Sequence, residues 1–123
     1  MPLKLSQAPV LTYGSVTSTM DVARYLVLGS GKSNPIREIP FAVQSAEQLK
    51  GRGRLSSDWH SPTGNLYTSI LLRPKLRPEH MALTSFAVVL ALYDCIQANA
   101  VGCDPLDLKV KWPNDLLLEG GKI

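Results

Sequence analysis

The stretch "IPFAVQSAEQLKGRGR", residues 39–54, changes character part-way along. Its first ten residues are mostly apolar or small, and they predict a largely buried strand. Its last five, residues 50–54, bring together three cations and two glycines, a composition typical of a loop rather than of a core element. The sequence therefore predicts a buried strand that runs directly into a cationic loop.

The composition of this loop suits an anionic ligand. Gly51 and Gly53 allow backbone amides to approach a ligand closely, and Arg52 and Arg54 each present a planar fork of donors to a carboxylate or phosphate. The same tract is equally typical of a solvated loop or of non-specific RNA contacts. Trp59 nearby suits stacking on a purine, but it suits a role as a packing anchor as well. The loop alone leaves these alternatives open.

Composition and length set limits on the class of protein. A chain of 123 residues predicts one domain, and 45% hydrophobic with 19% charged residues is typical of a globular protein. A net charge of +3 permits an anionic ligand without indicating nucleic acid. Cys95 and Cys103 are expected to be free thiols. No secretory signal or membrane-spanning run is recognisable, so we expect a cytoplasmic protein with no membrane partner.

The rest of the chain predicts alternating strands and helices. Signals for a helix start and a helix stop predict one helix after Ser18. Asp21 completes a capping box with Ser18, and residues Gly29 to Gly31 end the helix. A second helix, at about residues 78–100, is apolar nearly all round, so we expect it to be buried against a sheet. Four further strands are expected. The first lies in "APVLTYGSV", residues 8–16, and ends near Gly14, and the others are at residues 64–74, 106–112 and 116–119.

The end of the sequence predicts a hairpin. "EGGK", residues 119–122, is interpreted as a two-residue Gly-Gly turn that opens one more strand at residues 122–123. Together with the preceding elements, this gives an α/β (α+β) fold with a mixed, mostly antiparallel sheet packed by helices.

Two further groups of residues have both a structural and a functional interpretation. Ser18 and Thr19 stand at a helix start, where their hydroxyls either cap backbone donors or face the polar head of a ligand. In "KVKWPNDLLLEGGK", residues 109–122, the Pro-Asn-Asp turn and the lysine after Gly-Gly are ordinary surface chemistry. The same residues could hold ATP phosphates through magnesium and neutralise charge at phosphorus.

In order, "TST", "AEQLKGRGR", "W-SP-GNLY-S-LLRP" and "KWPNDLLLEGGK" resemble the biotin protein ligases, also called biotin–[acetyl-CoA-carboxylase] ligases. The resemblance covers the chain from residue 10 onward. It implies a class II synthetase-like catalytic domain that activates biotin with Mg-ATP to biotinyl-5′-AMP and pyrophosphate. The biotinyl group then passes to a lysine of the biotin carboxyl carrier protein of acetyl-CoA carboxylase.

The resemblance also implies roles for single residues. Catalysis would depend on Arg52, Arg54 and Lys122. The residues that would bind biotin are Ser18, Thr19, Gln48, Gly51 and Arg52. The residues that would bind ATP are Arg54, Trp59, Lys111, Asn114, Asp115 and Lys122. Asp115 would also serve the magnesium ion.

The chain departs from the family pattern at several places. Met20 stands where the family usually has Asn, and Ser56-Ser57 stands where a second Gly-Arg pair is usual. No DNA-binding domain precedes the matched region, so we expect no repressor activity and no nucleic-acid partner. We expect residues 1–123 to be the N-terminal part of the catalytic domain, with the rest of that domain and a small C-terminal domain absent. A homodimer is left open.

Two alternative functions remain. Lipoate-protein ligases and octanoyltransferases share the fold class, but their loop usually has consecutive glycines and they lack the Lys-Trp-Pro-Asn-Asp turn. A non-enzymatic nucleic-acid-binding module would use the basic loop and Trp59, and its affinity would fall steeply with salt.

The isolated 123-residue chain is expected to be poorly stable or inactive, because its last strands would lack partners and leave a sheet edge open. Thermal unfolding and biotin-dependent adenylation of the isolated chain test this expectation. A cooperative melt together with adenylation would contradict it.

Overall fold

A computed structural model gives the placement of residues 7–29, 39–53, 55, 57–100 and 106–123. The chain forms two compact units, Met1–Pro74 and Lys75–Ile123. Arg54, a predicted site residue, and Cys103, an expected free thiol, lie outside the described residues.

The first unit is built around one long strand. Its elements are β1 (Val10–Val16), α1 (Thr19–Leu28), β2 (Phe41–Arg52), β3 (Asp58–Ser61) and β4 (Tyr67–Leu71). Strand β2 pairs in parallel with β1 and antiparallel with both β3 and β4. Phe41 and Val43 at the start of β2 are fully buried. This agrees with the buried strand that the apolar run predicts.

Strand β2 is longer than the sequence predicts. The expected strand ends at residue 48, but the observed one continues through Lys50 and Gly51 to Arg52, residues that were expected to form a loop. The continuation has a partner, because Gly51 pairs with Trp59 and Arg52 with Asp58 on β3. The polar sequence of β3 gives no apolar alternation, so sequence patterning missed both the partner strand and the extension.

Helix α1 begins as predicted at Ser18. The Ser18 side chain accepts a hydrogen bond from the Met20 amide at 3.2 Å, and Gly29 is the C-cap. In the predicted capping box, Asp21 would reach back to the helix start. Both of its carboxylate oxygens instead bond to Arg52. Ser18 therefore caps the helix through the N2 amide of Met20, and the predicted capping box is not formed.

Strand β4 alternates between a less exposed and a more exposed face. Tyr67, Ser69 and Leu71 are the less exposed residues, whereas Thr68 and Ile70 on the other face are exposed. Ser69 therefore lies on the inward face of the strand.

The second unit contains a short 3₁₀ turn (Pro78–His80), α2 (Leu83–Asn99), β5 (Leu108–Lys111), β6 (Asp115–Leu118) and β7 (Gly121–Lys122). The three strands form an antiparallel sheet in the order β5-β6-β7. Leu108 and Leu116 are the buried residues of this sheet. Phe86 of α2 lies near Trp112, with ring centroids 6.1 Å apart.

The hairpin between β6 and β7 differs by one residue from the predicted one. Leu118 pairs with Gly121, so the two turn residues are Glu119 and Gly120 rather than Gly120 and Gly121. Both turn residues have positive φ, 50° and 81°. A two-residue turn of this kind needs positive φ at both positions. Glu119 adopts it at the first position, which leaves Gly121 to pair in the strand.

Helix α2 is much less buried than its apolar sequence predicts. Val89 is its one buried residue, while Leu83 and Leu90 are 57% and 54% exposed. The helix contacts β5 and β6 within its own unit. A sheet of three short strands covers only a narrow stripe of a 17-residue helix, so the rest of its apolar surface is exposed.

The predicted fold class, α/β with a mixed and mostly antiparallel sheet, is confirmed. Cys95 is a free, exposed thiol as expected. In the described part of the chain, no helix is long and apolar enough to cross a membrane.

Candidate functional site

A chain of hydrogen bonds joins the first turn of α1 to β2. The Thr19 amide donates to Gln48 Oε1 at 2.9 Å, and the Thr19 hydroxyl donates to the same oxygen at 3.2 Å. Because a backbone amide can only donate, Oε1 of Gln48 must be the atom that faces Thr19. The Gln48 amide group is thereby held in one orientation.

Two serines that sequence reasoning did not assign to the site complete this chain. Gln48 Nε2 donates to Ser61 Oγ at 3.2 Å, and Ser61 Oγ donates to the Trp59 carbonyl at 3.2 Å. The Ser69 hydroxyl lies 2.8 Å from that of Thr19. Since Thr19 donates its proton to Gln48, Ser69 is the donor to Thr19. Ser69 has an inward position on β4, and its signal in the sequence is its place in the motif "W-SP-GNLY-S-LLRP".

These residues form a polar wall, defined here as Thr19, Gln48, Ser61 and Ser69. Thr19 and Ser61 are 4% exposed, so their hydroxyls need partners inside the protein. The wall supplies them and sets the direction of each hydrogen bond. Such a surface suits a small, neutral, polar group that both donates and accepts hydrogen bonds.

Gly51 marks a close approach between β2 and β3. A Cβ atom at this position would lie 2.4 Å from the Trp59 carbonyl oxygen and 2.5 Å from Ser61 Oγ. Both distances are shorter than any side chain tolerates. The missing side chain is therefore what allows Trp59 and Ser61 to lie beside β2.

Arg52 lies at the end of β2 and pairs with Asp21 of α1. Its two terminal nitrogens reach the two carboxylate oxygens, Nη1 to Oδ2 at 3.0 Å and Nη2 to Oδ1 at 2.5 Å. The hydrogen bond and charge of Arg52 lower the pKa of Asp21, and the charge of Arg24 adds to this. In turn, the carboxylate raises the pKa of Arg52. The arginine therefore stays charged at any physiological pH.

An open cavity of ≈ 620 Å³ connects these features. It is lined by two segments, residues 48–52 of β2 and residues 58–61 of β3. Gln48 and Ser61 bring the polar wall to the cavity, Arg52 brings a cation, and Trp59, 47% exposed, brings an aromatic ring. One cavity thus combines oriented hydrogen-bonding groups, a positive charge and a stacking surface.

The second unit holds the other group of predicted site residues. Lys122 Nζ lies 2.9 Å from Asp115 Oδ1, and Lys111 pairs with Asp115 across the β5–β6 ladder. Asn114 lines a separate cavity of ≈ 300 Å³ beside α2. The sheet of the second unit thus places Asp115 beside Lys122 and opposite Lys111.

Among the described residues, no cluster of three or more His, Cys, Asp or Glu side chains could hold a metal ion by itself. Magnesium in nucleotide sites is commonly bound by one or two carboxylates together with substrate phosphates. Asp115, which follows Asn114 in the chain, could supply the one carboxylate that such a magnesium site needs.

The predicted site residues therefore fall into two groups, one in each unit. Ser18, which caps α1, and Thr19, Gln48, Gly51, Arg52 and Trp59 come together in the first unit. Lys111, Asp115 and Lys122 come together in the second, and Asn114 lines a separate cavity there. Arg54 lies outside the described residues, and its role stays a prediction.

Comparison with known proteins identifies the family. Residues 13–123 match the model of the biotin/lipoate A/B protein ligase family. The chain belongs to this family. It is 43% identical over 82 residues to a biotin–[acetyl-CoA-carboxylase] ligase of Paracoccus denitrificans, covering 66% of this chain and 33% of that protein. It is 40% identical over 96 residues to biotin–protein ligase 2 of Arabidopsis thaliana, covering 74% of this chain and 29% of that protein.

Solved structures of biotin protein ligases share the fold. The Leishmania major protein, in complex with biotinyl-5-AMP, superposes with a TM-score of 0.72 at 29% identity, covering 94% of this chain and 49% of that one. The Aquifex aeolicus protein, in complex with biotin and ATP, gives 0.63 at 30% identity, covering 94% and 44%. The chain spans about a third of the curated relatives named above and just under half of these two structures.

In this member of the biotin/lipoate ligase family, Gly51→Ala is expected to destabilise the first unit by about 1–3 kcal/mol, because the new Cβ overlaps the β3 backbone. Gly14→Ala is the matched control. It also lies in a strand, but its Cβ would meet nothing within 4 Å. Urea unfolding of both variants measures the difference. Equal stability of the two variants would contradict the close approach at Gly51.

The Asp21 carboxyl is expected to titrate below the ordinary value of about 3.9, and Arg52→Ala should return it most of the way. Because its pKa is lower in the folded state, Asp21 stabilises the fold fully above its unfolded pKa. That contribution is lost as the pH falls through the lowered value. Carbon-detected NMR titration of the side chain measures the shift.

Arg24→Ala is the control for this titration and should move the Asp21 pKa less than Arg52→Ala does, since Arg24 acts through charge alone. A larger effect of Arg24→Ala would show that Arg52 is not the main partner.

Proposed function

We propose that this protein is a biotin protein ligase. It activates biotin with Mg-ATP to give biotinyl-5′-AMP and pyrophosphate, and it transfers the biotinyl group to a lysine of the carboxyl carrier protein of acetyl-CoA carboxylase. The observation that carries the proposal is the cavity in which the oriented polar wall and the Arg52 cation lie together. Biotin combines a neutral ureido ring with a carboxylate, and these are the two chemistries that the cavity offers.

The polar wall binds the neutral end of biotin. The ureido group of biotin has one carbonyl acceptor and two N–H donors, so it needs partners of both kinds. The Thr19–Gln48–Ser61 hydrogen bonds fix which atoms donate before the ligand arrives. A wall that is already ordered loses little entropy on binding, which favours affinity.

Arg52 acts where charge has to be neutralised. In the first step a carboxylate oxygen of biotin attacks the α-phosphorus of ATP, a new O–P bond forms, and the bond to the pyrophosphate oxygen breaks. Both reactants are anions and repel each other. A guanidinium held beside the carboxylate reduces this repulsion and orients the nucleophile. Arg54 is assigned to the adenylate phosphate, and Trp59 to closure over the adenine.

The strands β5, β6 and β7, together with the turn between β5 and β6, supply the groups for the nucleotide. Asn114 and Asp115 serve ATP and magnesium, and Lys122 and Lys111 supply positive charge to the phosphates. Bound magnesium neutralises phosphate charge. In the second step the amine of the acceptor lysine attacks the biotinyl carbonyl and AMP leaves, so no covalent bond to the enzyme is required.

Relatives of known structure support the assignment of both ligands. The structure of the Leishmania major ligase is a complex with biotinyl-5-AMP, and that of the Aquifex aeolicus ligase is a complex with biotin and ATP. The matched family also includes lipoate ligases, so lipoate and octanoate are the alternative acids.

ATP–pyrophosphate exchange by the full-length gene product, measured with biotin, lipoate and octanoate, tests this function. Exchange that depends on biotin alone is expected. Exchange with lipoate or octanoate alone would contradict the choice of acid. Tight, salt-sensitive oligonucleotide binding without any response to biotin would contradict the enzymatic function altogether.

Lys122→Ala in the full-length protein is expected to slow adenylate formation by about 100-fold, the usual effect of removing one group that stabilises transition-state charge. Biotin affinity should change less than about twofold, since uniform binding is not affected. Single-turnover adenylation and biotin titration measure the two effects separately.

Lys109→Ala is the matched control for Lys122→Ala. Lys109 also forms an exposed ion pair, with Asp107 at 2.8 Å. It has no assigned role, so adenylation should be unaffected. Equal losses of rate and biotin affinity in Lys122→Ala would show that Lys122 belongs to the biotin site.

A further inference from the structure

The first turn of α1 contacts β2 at two points. Thr19 holds Gln48, and two residues later Asp21 holds Arg52, four residues further along the strand. The first contact belongs to the polar wall. The second has no part in the function described so far.

The Asp21–Arg52 ion pair sets the orientation of the Arg52 side chain and adds little to the stability of the fold. Its side chains are 38% and 45% exposed, and ion pairs as exposed as this contribute little to stability. The geometry is nevertheless specific, because each carboxylate oxygen meets a different terminal nitrogen of the guanidinium. A long arginine side chain at the mouth of an open cavity is thereby confined to one orientation.

The pair also leaves Arg52 able to bind a second anion. A guanidinium carries five N–H donors, and the two bonds to Asp21 require only two of them. Arg52 lines the cavity at the same time as it holds Asp21. A ligand carboxylate can therefore be bound while the pair persists.

We propose that Asp21 is a positioning residue for adenylation: it holds the Arg52 guanidinium in the orientation that receives the acid's carboxylate and the α-phosphate. The inference rests on the proposed function and assigns to it a residue outside the predicted site. Asp21 touches neither substrate, and it acts through Arg52. Arg24, the other cation whose charge reaches Asp21, lies one turn along the same helix and offers no comparable hydrogen bond.

Asp21→Asn in the full-length protein tests this, because it removes the charge and keeps the shape. In biotin-dependent pyrophosphate exchange we expect kcat to fall by about tenfold and the KM for biotin to change less than about twofold, since orientation matters most where the two anions meet. Asp21→Glu, which keeps the carboxylate, should recover part of the rate. The melting temperature should change no more than in Asp107→Asn, which removes another exposed ion pair.

A double-mutant cycle separates positioning from a general structural effect. In the Arg52→Ala background, Asp21→Asn should cause no further loss of kcat, because the group that it positions is gone. A full tenfold loss in that background would show that Asp21 acts elsewhere and would overturn the inference.

The remaining outcomes are equally distinct. An unchanged kcat in Asp21→Asn would overturn the inference, and a raised kcat would show that Asp21 competes with the substrate for Arg52. In both cases the wild-type exchange still supports the proposed function. A wild-type protein without exchange on any of the three acids would overturn the proposed function, and the positioning role with it.

Discussion

The arrangement of the site depends on β2 continuing as a strand past Gln48. This continuation requires that Gly51 has no side chain, because a Cβ there would overlap the Trp59 carbonyl at 2.4 Å. With glycine, β3 pairs against residues 51 and 52, and Ser61 comes within hydrogen-bonding distance of Gln48. One strand then carries both the amide of the polar wall and the arginine at the cavity. The lack of a side chain at Gly51 therefore determines the positions of both Gln48 and Arg52.

The first turn of α1 completes this arrangement. Ser18, Thr19 and Asp21 each make a different contact, to the helix start, to Gln48 and to Arg52. The hydrogen bonds that join the residues of the wall form within the protein before a ligand binds. In the proposed adenylation, preorganisation of this kind would be effective because the groups that neutralise charge need not reorganise as the two anions approach.

Much of this could be predicted from the sequence, and the misses have physical reasons. Ser18 at a helix start and the buried strand from Phe41 follow from local rules. The strand character of residues 50–52 does not, because it comes from pairing with β3, whose sequence "DWHS" lacks apolar alternation. Asp21 was interpreted as half of a capping box, since the arginine that captures it lies 31 residues away.

The misses in the second unit have a similar origin. The hairpin turn shifted by one residue because Glu119, and not a second glycine, adopts positive φ. Helix α2 is apolar all round, and composition alone cannot say which side a partner covers. The backbone angle of one residue decides the first case. Packing between distant segments decides the second, and a single sequence records such packing only weakly.

A crystal structure of the full-length protein with biotinyl-5′-AMP tests the central claim most directly. The account predicts the ureido ring against Gln48 and Thr19, and the Arg52 guanidinium within hydrogen-bonding distance of the acyl phosphate while still bonded to Asp21. A ligand that lies away from β2, with Arg52 directed into solvent, would contradict it.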